Sequence, residues 1–195
     1  MDFSTDYILE NTMVRLEPLD ETHIPQLVHF GNETAIWTYF LGRSNGAANL
    51  KGYIEDAIKH RLLHKEYPFA VFDKRTKAYA GSTRLFDYSS LIKNIRLGYT
   101  WYGKAFQGTG LNKNCKFLLF EFALETLGME RVGLGAHSEN TRSIAAMKSV
   151  GCSEEGCLRN LFPSLQNAGR ADGVLYGITR DDWINGYKNQ LIQKL

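Results

Sequence analysis

The sequence predicts a mixed α/β fold in a single domain, in which an antiparallel meander is followed by a β-α-β crossover. Three strand-like runs, at 68–72, 79–86 and 95–101, are joined by short connections, which favour antiparallel pairing. A helical pattern over 111–127 then precedes another strand-like run at 131–136. A helix between two strands is typical of a crossover that places the strands parallel.

The chain before the meander predicts one strand and two helices. Alternating apolar and polar residues predict a strand over 14–19, and Asp20 is a suitable N-cap for a short helix that ends near Gly31. Apolar residues recur at helical spacing over 49–65 and predict a second helix. The stretch between the two helices, 32–48, has the composition of a loop.

The chain after the crossover predicts a short helix, two strands and a helical tail. Asn140 or Thr141 caps the helix, which runs to Ser149. The remaining elements are strands at 152–158 and 174–179 and a C-terminal helical tail at 181–195. These elements extend the sheet beyond the crossover.

Composition excludes several classes of function. Hydrophobic residues make up 44% of the 195 residues, enough for a substantial core, and the net charge of +2 is too small for a nucleic-acid-binding field. No apolar run approaches the roughly 20 residues that cross a membrane, and the polar start Met1–Asp6 is unlike a secretory signal. We therefore expect a cytoplasmic protein with no membrane or nucleic-acid partner.

The three cysteines are Cys115, Cys152 and Cys157. They are too few and too scattered for a disulfide framework or a zinc site, and the odd count favours a reducing compartment. We expect all three to pack as small apolar residues, without a metal.

The segment 107–112, Gln-Gly-Thr-Gly-Leu-Asn, lies where a strand leads through a glycine-containing loop into the long helix. Free backbone N–H groups and the helix dipole make such a helix start suitable for a pyrophosphate, although the same glycines also suit a turn with a cap. The preceding Gly98–Ala105 approximates a nucleotide-binding P-loop, but Ala105 replaces its hydroxyl residue. An NTPase is therefore disfavoured.

Three motifs resemble the GNAT superfamily of N-acetyltransferases, in particular the branch of the ribosomal-protein N-terminal acetyltransferases. Gln107 and Gly110 fit the pattern Q/R-x-x-G-x-G/A, from which Asn112 departs. Met129–Val132 is similar to the family's start of the fifth strand, and Asn140–Cys152 to its N-x-x-S segment.

The resemblance covers most of residues 13–183 and implies one GNAT domain over 1–195. In that fold the central strands, here 95–102 and 131–136, splay apart around the pantetheine arm of acetyl-CoA. The resemblance places Asn140 on that arm and Ser143 near the thioester sulfur, although Asn140 also suits a plain helix cap. The residues expected to bind acetyl-CoA are Trp101, Tyr102, Gln107, Gly108, Thr109, Gly110, Leu111, Asn112, Asn140 and Ser143.

Acetyl transfer to an amine requires a neutral amine, donors for the oxyanion and a proton or hydrogen bond for the departing thiolate. The expected catalytic residues are Ser143, Tyr102 and His137. Arg96 stands where many relatives carry the glutamate base, so the identity of the base stays open. The candidates for the base are Asp87, Tyr99, Tyr102, His137 and Glu139, and a tyrosine or Ser143 is a candidate for protonating the thiolate. Trp37, Tyr39 and Phe40 suit either an acceptor pocket or the core.

These observations predict an N-acetyltransferase that moves an acetyl group from acetyl-CoA to a primary amine by direct attack in a ternary complex. The acceptor is a protein N-terminus or a small amine, and the sequence does not choose between them because acceptor loops vary within one fold. A catalytically silent acyl-CoA-binding module is the main alternative, and an interaction protein without a CoA site is a weaker one. Both a monomer and a homodimer are compatible with the sequence.

Overall fold

The computed structural model describes residues 1–42 and 45–195. These residues form one eight-stranded sheet in the order β1-β2-β3-β4-β5-β6-β8-β7. The strands are β1 Leu9–Glu10, β2 Val14–Pro18, β3 Glu66–Asp73, β4 Ala78–Ser89, β5 Asn94–Tyr102, β6 Arg131–His137, β7 Ser153–Pro163 and β8 Arg170–Thr179. Among these strands, β5 and β6 pair in parallel and all other neighbours are antiparallel.

The helices flank this sheet. They are α1 Ile24–Leu27 with 3-10 turns at Glu21–His23 and Val28–Asn32, α2 Thr34–Trp37, α3 Leu50–Leu62, α4 Leu111–Glu121 with a π turn at Phe122–Thr126, and α5 Thr141–Ser149. The C-terminal tail comprises α6 Arg180–Asp182, a π turn at Trp183–Tyr187 and α7 Lys188–Ile192, and a 3-10 turn at Lys104–Phe106 precedes α4. The predicted mixed α/β fold, with its meander and parallel crossover, is confirmed.

Two buried clusters lie on opposite faces of the sheet. Phe69 and Val71 of β3 pack in the cluster that contains α4 and α5, whereas the intervening Ala70 packs with α1 to α3. This alternation follows from the two-residue period of a strand. The C-terminal tail joins the first cluster, because Trp183 is fully buried and its indole N–H donates to Glu125 at 2.7 Å.

Several element boundaries differ from the sequence-based expectation. The expected loop at 32–48 contains helix α2, because Ile36 and Trp37 are buried and the Trp37 indole N–H donates to the Phe30 carbonyl at 3.0 Å. Residues 43 and 44 of that loop lie outside the described residues. The strand expected at 152–158 extends to Pro163, because the neighbouring strand β8 begins already at Arg170 and pairs with it there.

The cysteines do not all behave as expected. Cys115 and Cys152 are buried, as predicted for small apolar residues. Cys157 is exposed instead, and its thiol donates to the Asp172 carboxylate at 3.4 Å. The prediction was wrong for Cys157 because β7 lies at the edge of the sheet and much of the strand is exposed.

No helix among the described residues is long and apolar enough to cross a membrane.

Candidate active site

Strands β5 and β6 begin as neighbours and then diverge. Asn94 pairs with Arg131, Ile95 with Val132 and Arg96 with Gly133, and the described residues include no β5–β6 pair beyond these. On its other edge, β6 pairs with β8 along its whole length, from Arg131 to His137. The second half of β5 therefore faces an opening rather than a strand.

A β-bulge in β5 explains this divergence. Ser82 and Arg84 of β4 are two residues apart, but their partners in β5, Trp101 and Gly98, are three residues apart. Strand β5 therefore carries one extra residue here. Within that segment of β5, Tyr99 has a φ of +49°, a left-handed backbone conformation that residues other than glycine rarely adopt. A bulge bends its strand, so β5 turns away from β6 shortly after their last paired residues.

The loop at the start of α4 exposes a run of backbone donors. Gly110 is the N-cap with a φ of +88°, and Gly108 has a φ of +74°. In the described part of the chain, the amide N–H groups of residues 108–112 bond no protein acceptor, since the first helical bonds run from Lys113 and Asn114 to Gly110. With the helix dipole behind them, these N–H groups provide the donors that an anion site requires.

Arg75, in the turn between β3 and β4, braces this loop. Its guanidinium holds the buried Asp73 carboxylate through contacts of 3.1 and 2.7 Å and donates to the Thr109 carbonyl and hydroxyl at 3.0 and 3.2 Å. Burial pushes the pKa of Asp73 up, but the hydrogen bonds from Arg75 outweigh it and leave that pKa lowered. The charged Asp73 carboxylate thus holds the Arg75 guanidinium in position, and Arg75 in turn holds the loop at Thr109.

Gln107 and Asn112 tie the loop to its surroundings. The Gln107 amide donates to the Tyr102 carbonyl at 2.9 Å, and its oxygen accepts from Arg142 of α5. The Tyr102 hydroxyl donates to the Asn112 oxygen at 3.3 Å, and burial raises the pKa of Tyr102 well above its usual value. Asn112, the departure from the family pattern, therefore fastens helix α4 to the end of β5.

Trp101 and Leu111, also expected at the cofactor site, are buried on opposite sides of the sheet. Trp101 packs with Trp37 in the cluster of α1 to α3, whereas Leu111 packs in the cluster of α4 and α5. Both side chains therefore belong to the core. Any contact that these two residues make with a cofactor would use their backbone.

Asn140 and Ser143 meet at the start of α5. The Asn140 side chain caps this helix by accepting from the Ser143 amide at 3.1 Å. The cap uses the Asn140 oxygen, and its amide nitrogen donates to no protein group within the described residues. Both residues are partly exposed, shortly after the end of β6 and beside the opening.

His137 and Glu139 hold the β7–β8 hairpin through hydrogen bonds. Both ring nitrogens of the buried His137 contact backbone, the Pro163 carbonyl at 3.0 Å and the Glu139 amide at 3.2 Å. The Glu139 carboxylate accepts from the Ser164 hydroxyl and the Leu165 amide, and these hydrogen bonds lower its pKa. Each group therefore already has partners.

The other two base candidates, Asp87 and Tyr99, each lie close to an arginine. The Arg96 guanidinium is 3.3 Å from the exposed Asp87 carboxylate. The Tyr99 ring packs against Phe86 and under the guanidinium of Arg84, which lies 4.8 Å from the ring centroid. Asp87 thus supplies a carboxylate beside position 96, already paired with an arginine.

The aromatic segment before α3 divides between core and opening. Trp37 is 1% exposed and packs against Trp101 and Tyr53, so it belongs to the core. Tyr39 instead reaches across to the end of β6, where its hydroxyl donates to the Glu139 carbonyl at 2.8 Å and its ring packs on His137. Phe40 is partly buried against Trp37.

Sequence reasoning missed three residues of this region, Arg75, Arg142 and Lys116. Arg75 and Thr109 are 34 residues apart in the chain, and Arg142 and Gln107 are 35 residues apart. A local motif carries no signal for contacts at such separations. Lys116 was missed because lysine is ordinarily exposed, and only the packing of the folded chain shows that this one is buried.

Comparisons with known proteins agree with this geometry. The family model described as an acetyltransferase (GNAT) domain matches residues 14–153. A search of curated proteins gives no match. Among solved structures, one described as an acetyltransferase from T. thermophilus is 26% identical, with a TM-score of 0.80 and 98% of each chain covered.

Two further structures share the fold at lower identity. A GCN5-related N-acetyltransferase from Brucella melitensis is 22% identical, with a TM-score of 0.84 over 98% of this chain and 86% of that chain. Mycobacterium smegmatis RimJ in complex with CoA-disulfide is 14% identical, with a TM-score of 0.76 over 97% and 93% of the two chains. Because the matched family model spans most of the sequence, including β5, β6 and the loop before α4, the chain belongs to the GNAT acetyltransferase family.

Proposed function

We propose that this protein transfers the acetyl group of acetyl-CoA to a primary amine by direct attack in a ternary complex. The observation that carries the proposal is the run of unbonded amide N–H groups at 108–112 in the described structure, close to the opening between β5 and β6. The N–H groups suit a diphosphate, and the unpaired strand edge at the opening suits an extended arm that contains amides.

The proposed binding site uses mostly backbone. The N–H groups of residues 108–112 would hold the diphosphate, and the edge of β5 beyond Arg96 would pair with the amides of the arm. Asn140 and Ser143 border the opening from the α5 side. When bound, acetyl-CoA supplies an activated thioester carbonyl, and backbone donors around the Tyr99 bulge are the candidates for stabilising the oxyanion.

The acceptor would enter beside the segment that precedes α3. Tyr39, His137 and Glu139 form a hydrogen-bonded wall there, with the Tyr39 ring tilted against the His137 ring. This wall would orient the amine and limit access of water. Because the His137 ring and the Glu139 carboxylate are already bonded within the β7–β8 hairpin, we assign no dedicated side-chain base.

Without a dedicated base, the favoured acceptor is one that loses its proton readily. An α-amino group has an unperturbed pKa of about 8, whereas a lysine side chain has one of about 10.4. Near neutral pH, the neutral form of the α-amine is therefore about 250-fold more abundant. We accordingly propose an α-amino group, on a peptide N-terminus or a small molecule, as the preferred acceptor.

The test measures acetyl-CoA binding and CoA release separately. Acetyl-CoA is expected to raise the melting temperature, because a ligand that binds only the folded state stabilises it. Peptides with a free N-terminus are expected to release CoA faster than matched peptides with a blocked N-terminus and one lysine. Binding without turnover on any amine would support the silent acyl-CoA-binding module, and absence of binding would contradict both functions.

A further inference from the structure

Lys116 is an unusual lysine beside the opening. It lies in the second turn of α4 and is 6% exposed, and among the described residues it is the only buried lysine. Its ammonium group donates to the Thr100 hydroxyl at 3.2 Å, which in turn contacts the Thr83 hydroxyl at 2.7 Å. Thr100 belongs to the half of β5 that has left β6, so its contact places Lys116 next to the opening.

The Lys116 ammonium is not neutralised by the protein. The described residues supply no carboxylate ion pair to it, and the titratable groups that face it are Cys115 on its own helix and Cys152 before β7. Burial raises the pKa of both thiols to about 12, so they are neutral at neutral pH. A buried ammonium with no carboxylate partner among the described residues is costly, which indicates a role for its charge.

The other buried groups near the opening are poor proton donors. Burial places the pKa values of Tyr102, Cys115 and Cys152 far above neutrality. Burial lowers the pKa of Lys116 to about 8, so this group alone among the four exchanges its proton near neutral pH. Helix α5, across the opening, carries Lys148, but that side chain is mostly exposed and lies 3.8 Å from the Glu154 carboxylate.

We propose that Lys116 donates the proton taken up by the CoA sulfur when the carbon–sulfur bond breaks. The proposal rests on the proposed acetyl transfer and adds the residue that assists the leaving group. The neutral amine nitrogen forms the new bond to the acetyl carbon and loses one proton to solvent, while the electron pair of the broken carbon–sulfur bond goes to sulfur. Sulfur takes a proton from the Lys116 ammonium, and the resulting neutral lysine regains one from solvent.

The first experiment measures the ionisation of the CoA thiol on the protein, independently of turnover. Ultraviolet thiolate absorbance is titrated in the CoA complex, with the complex of desulfo-CoA subtracted to remove the protein cysteines. We expect the wild type to increase the thiol's ionisation constant about tenfold or more, because an adjacent ammonium favours the anion. Lys116→Met abolishes this increase, Lys116→Arg retains it, and the exposed-lysine control Lys148→Met leaves it unchanged.

The second experiment measures rates and stability. Lys116→Met is expected to lower kcat about 100-fold, within the usual range for proton transfer, with a smaller change in KM. The alkaline decline in kcat near pH 8 moves to higher pH in Lys116→Arg, because arginine stays protonated. Thermal unfolding checks that each variant is folded, and Lys116→Gln replaces the Met variant if that one is not.

The outcomes separate this inference from the proposed function. If the wild type binds CoA and turns over, but its bound thiol ionises like that of Lys116→Met, Lys116 is not the proton donor. Equal kcat values in the wild type and the folded Met or Gln variant would overturn the inference in the same way. Failure of the wild type to bind CoA would instead remove the proposed function, and this inference with it.

Discussion

The two edges of strand β6 show how one strand contributes to both stability and the proposed binding site. Toward β8, all seven residues of β6 are paired. Val132 lies opposite Ile178 of β8, and both side chains are fully buried. Toward β5, pairing ends after Gly133, near the bulge at Tyr99. The opening therefore arises from local backbone geometry on one edge, while the other edge of the same strand stays fully closed.

Truncating a buried side chain at the closed edge, between β6 and β8, is expected to lower the stability of the protein most. Ile178→Ala removes buried methyl groups and should lower the free energy of unfolding by about 2–5 kcal/mol, measured by urea denaturation. The milder Ile178→Val should cost about 0.5–1.5 kcal/mol. Acetyl-CoA affinity of the folded protein should stay unchanged, so a large loss of affinity in the Val variant would show that the two edges are coupled.

The loop beside the open edge is expected to affect binding more than stability. Gly110 has a φ of +88°, so Gly110→Val should strain the loop by about 1–3 kcal/mol and weaken acetyl-CoA binding about tenfold in calorimetry. Gly156→Ala is the matched control, because a Cβ there would meet open space and the residue has no positive φ. Unchanged affinity in Gly110→Val would contradict the diphosphate site.

The smallest expected effect concerns the brace behind that loop. Arg75→Met removes the contacts to Thr109 and should weaken acetyl-CoA binding about fivefold in calorimetry, a modest loss because the arginine is exposed to solvent. Arg75→Lys should recover only part of the affinity, because lysine lacks the planar fork. Equal affinity in both variants and the wild type would show that the loop holds its shape without Arg75.

Much of the architecture was predictable because its signals are local. Apolar spacing identified α3 and α4, and the short connections between β3, β4 and β5 identified the meander. The glycines at 108 and 110 indicated the loop whose amide donors are unbonded in the described structure. Helix α2 was missed because four residues are too few for a period, and its formation depends on burial of Trp37.

Side-chain roles were less predictable than elements. His137 suited a base in sequence, but folding brings the Pro163 carbonyl onto its ring. Tyr102 was also an expected catalytic residue, but burial raises its pKa and its hydroxyl donates to Asn112. The catalytic roles of His137, Tyr102 and Ser143 stay predictions, and the partner that holds His137 comes from an element distant in the chain.

The sequence by itself determined the order of the strands and helices other than β1 and α2, the crossover and the position of the glycine loop, because hydrophobic period and turn chemistry act between near neighbours. Only the tertiary structure decided where β5 leaves β6, which arginine braces the loop and that Lys116 is buried beside neutral thiols and hydroxyls. Those features depend on desolvation and on contacts between residues far apart in the chain, which no local pattern encodes.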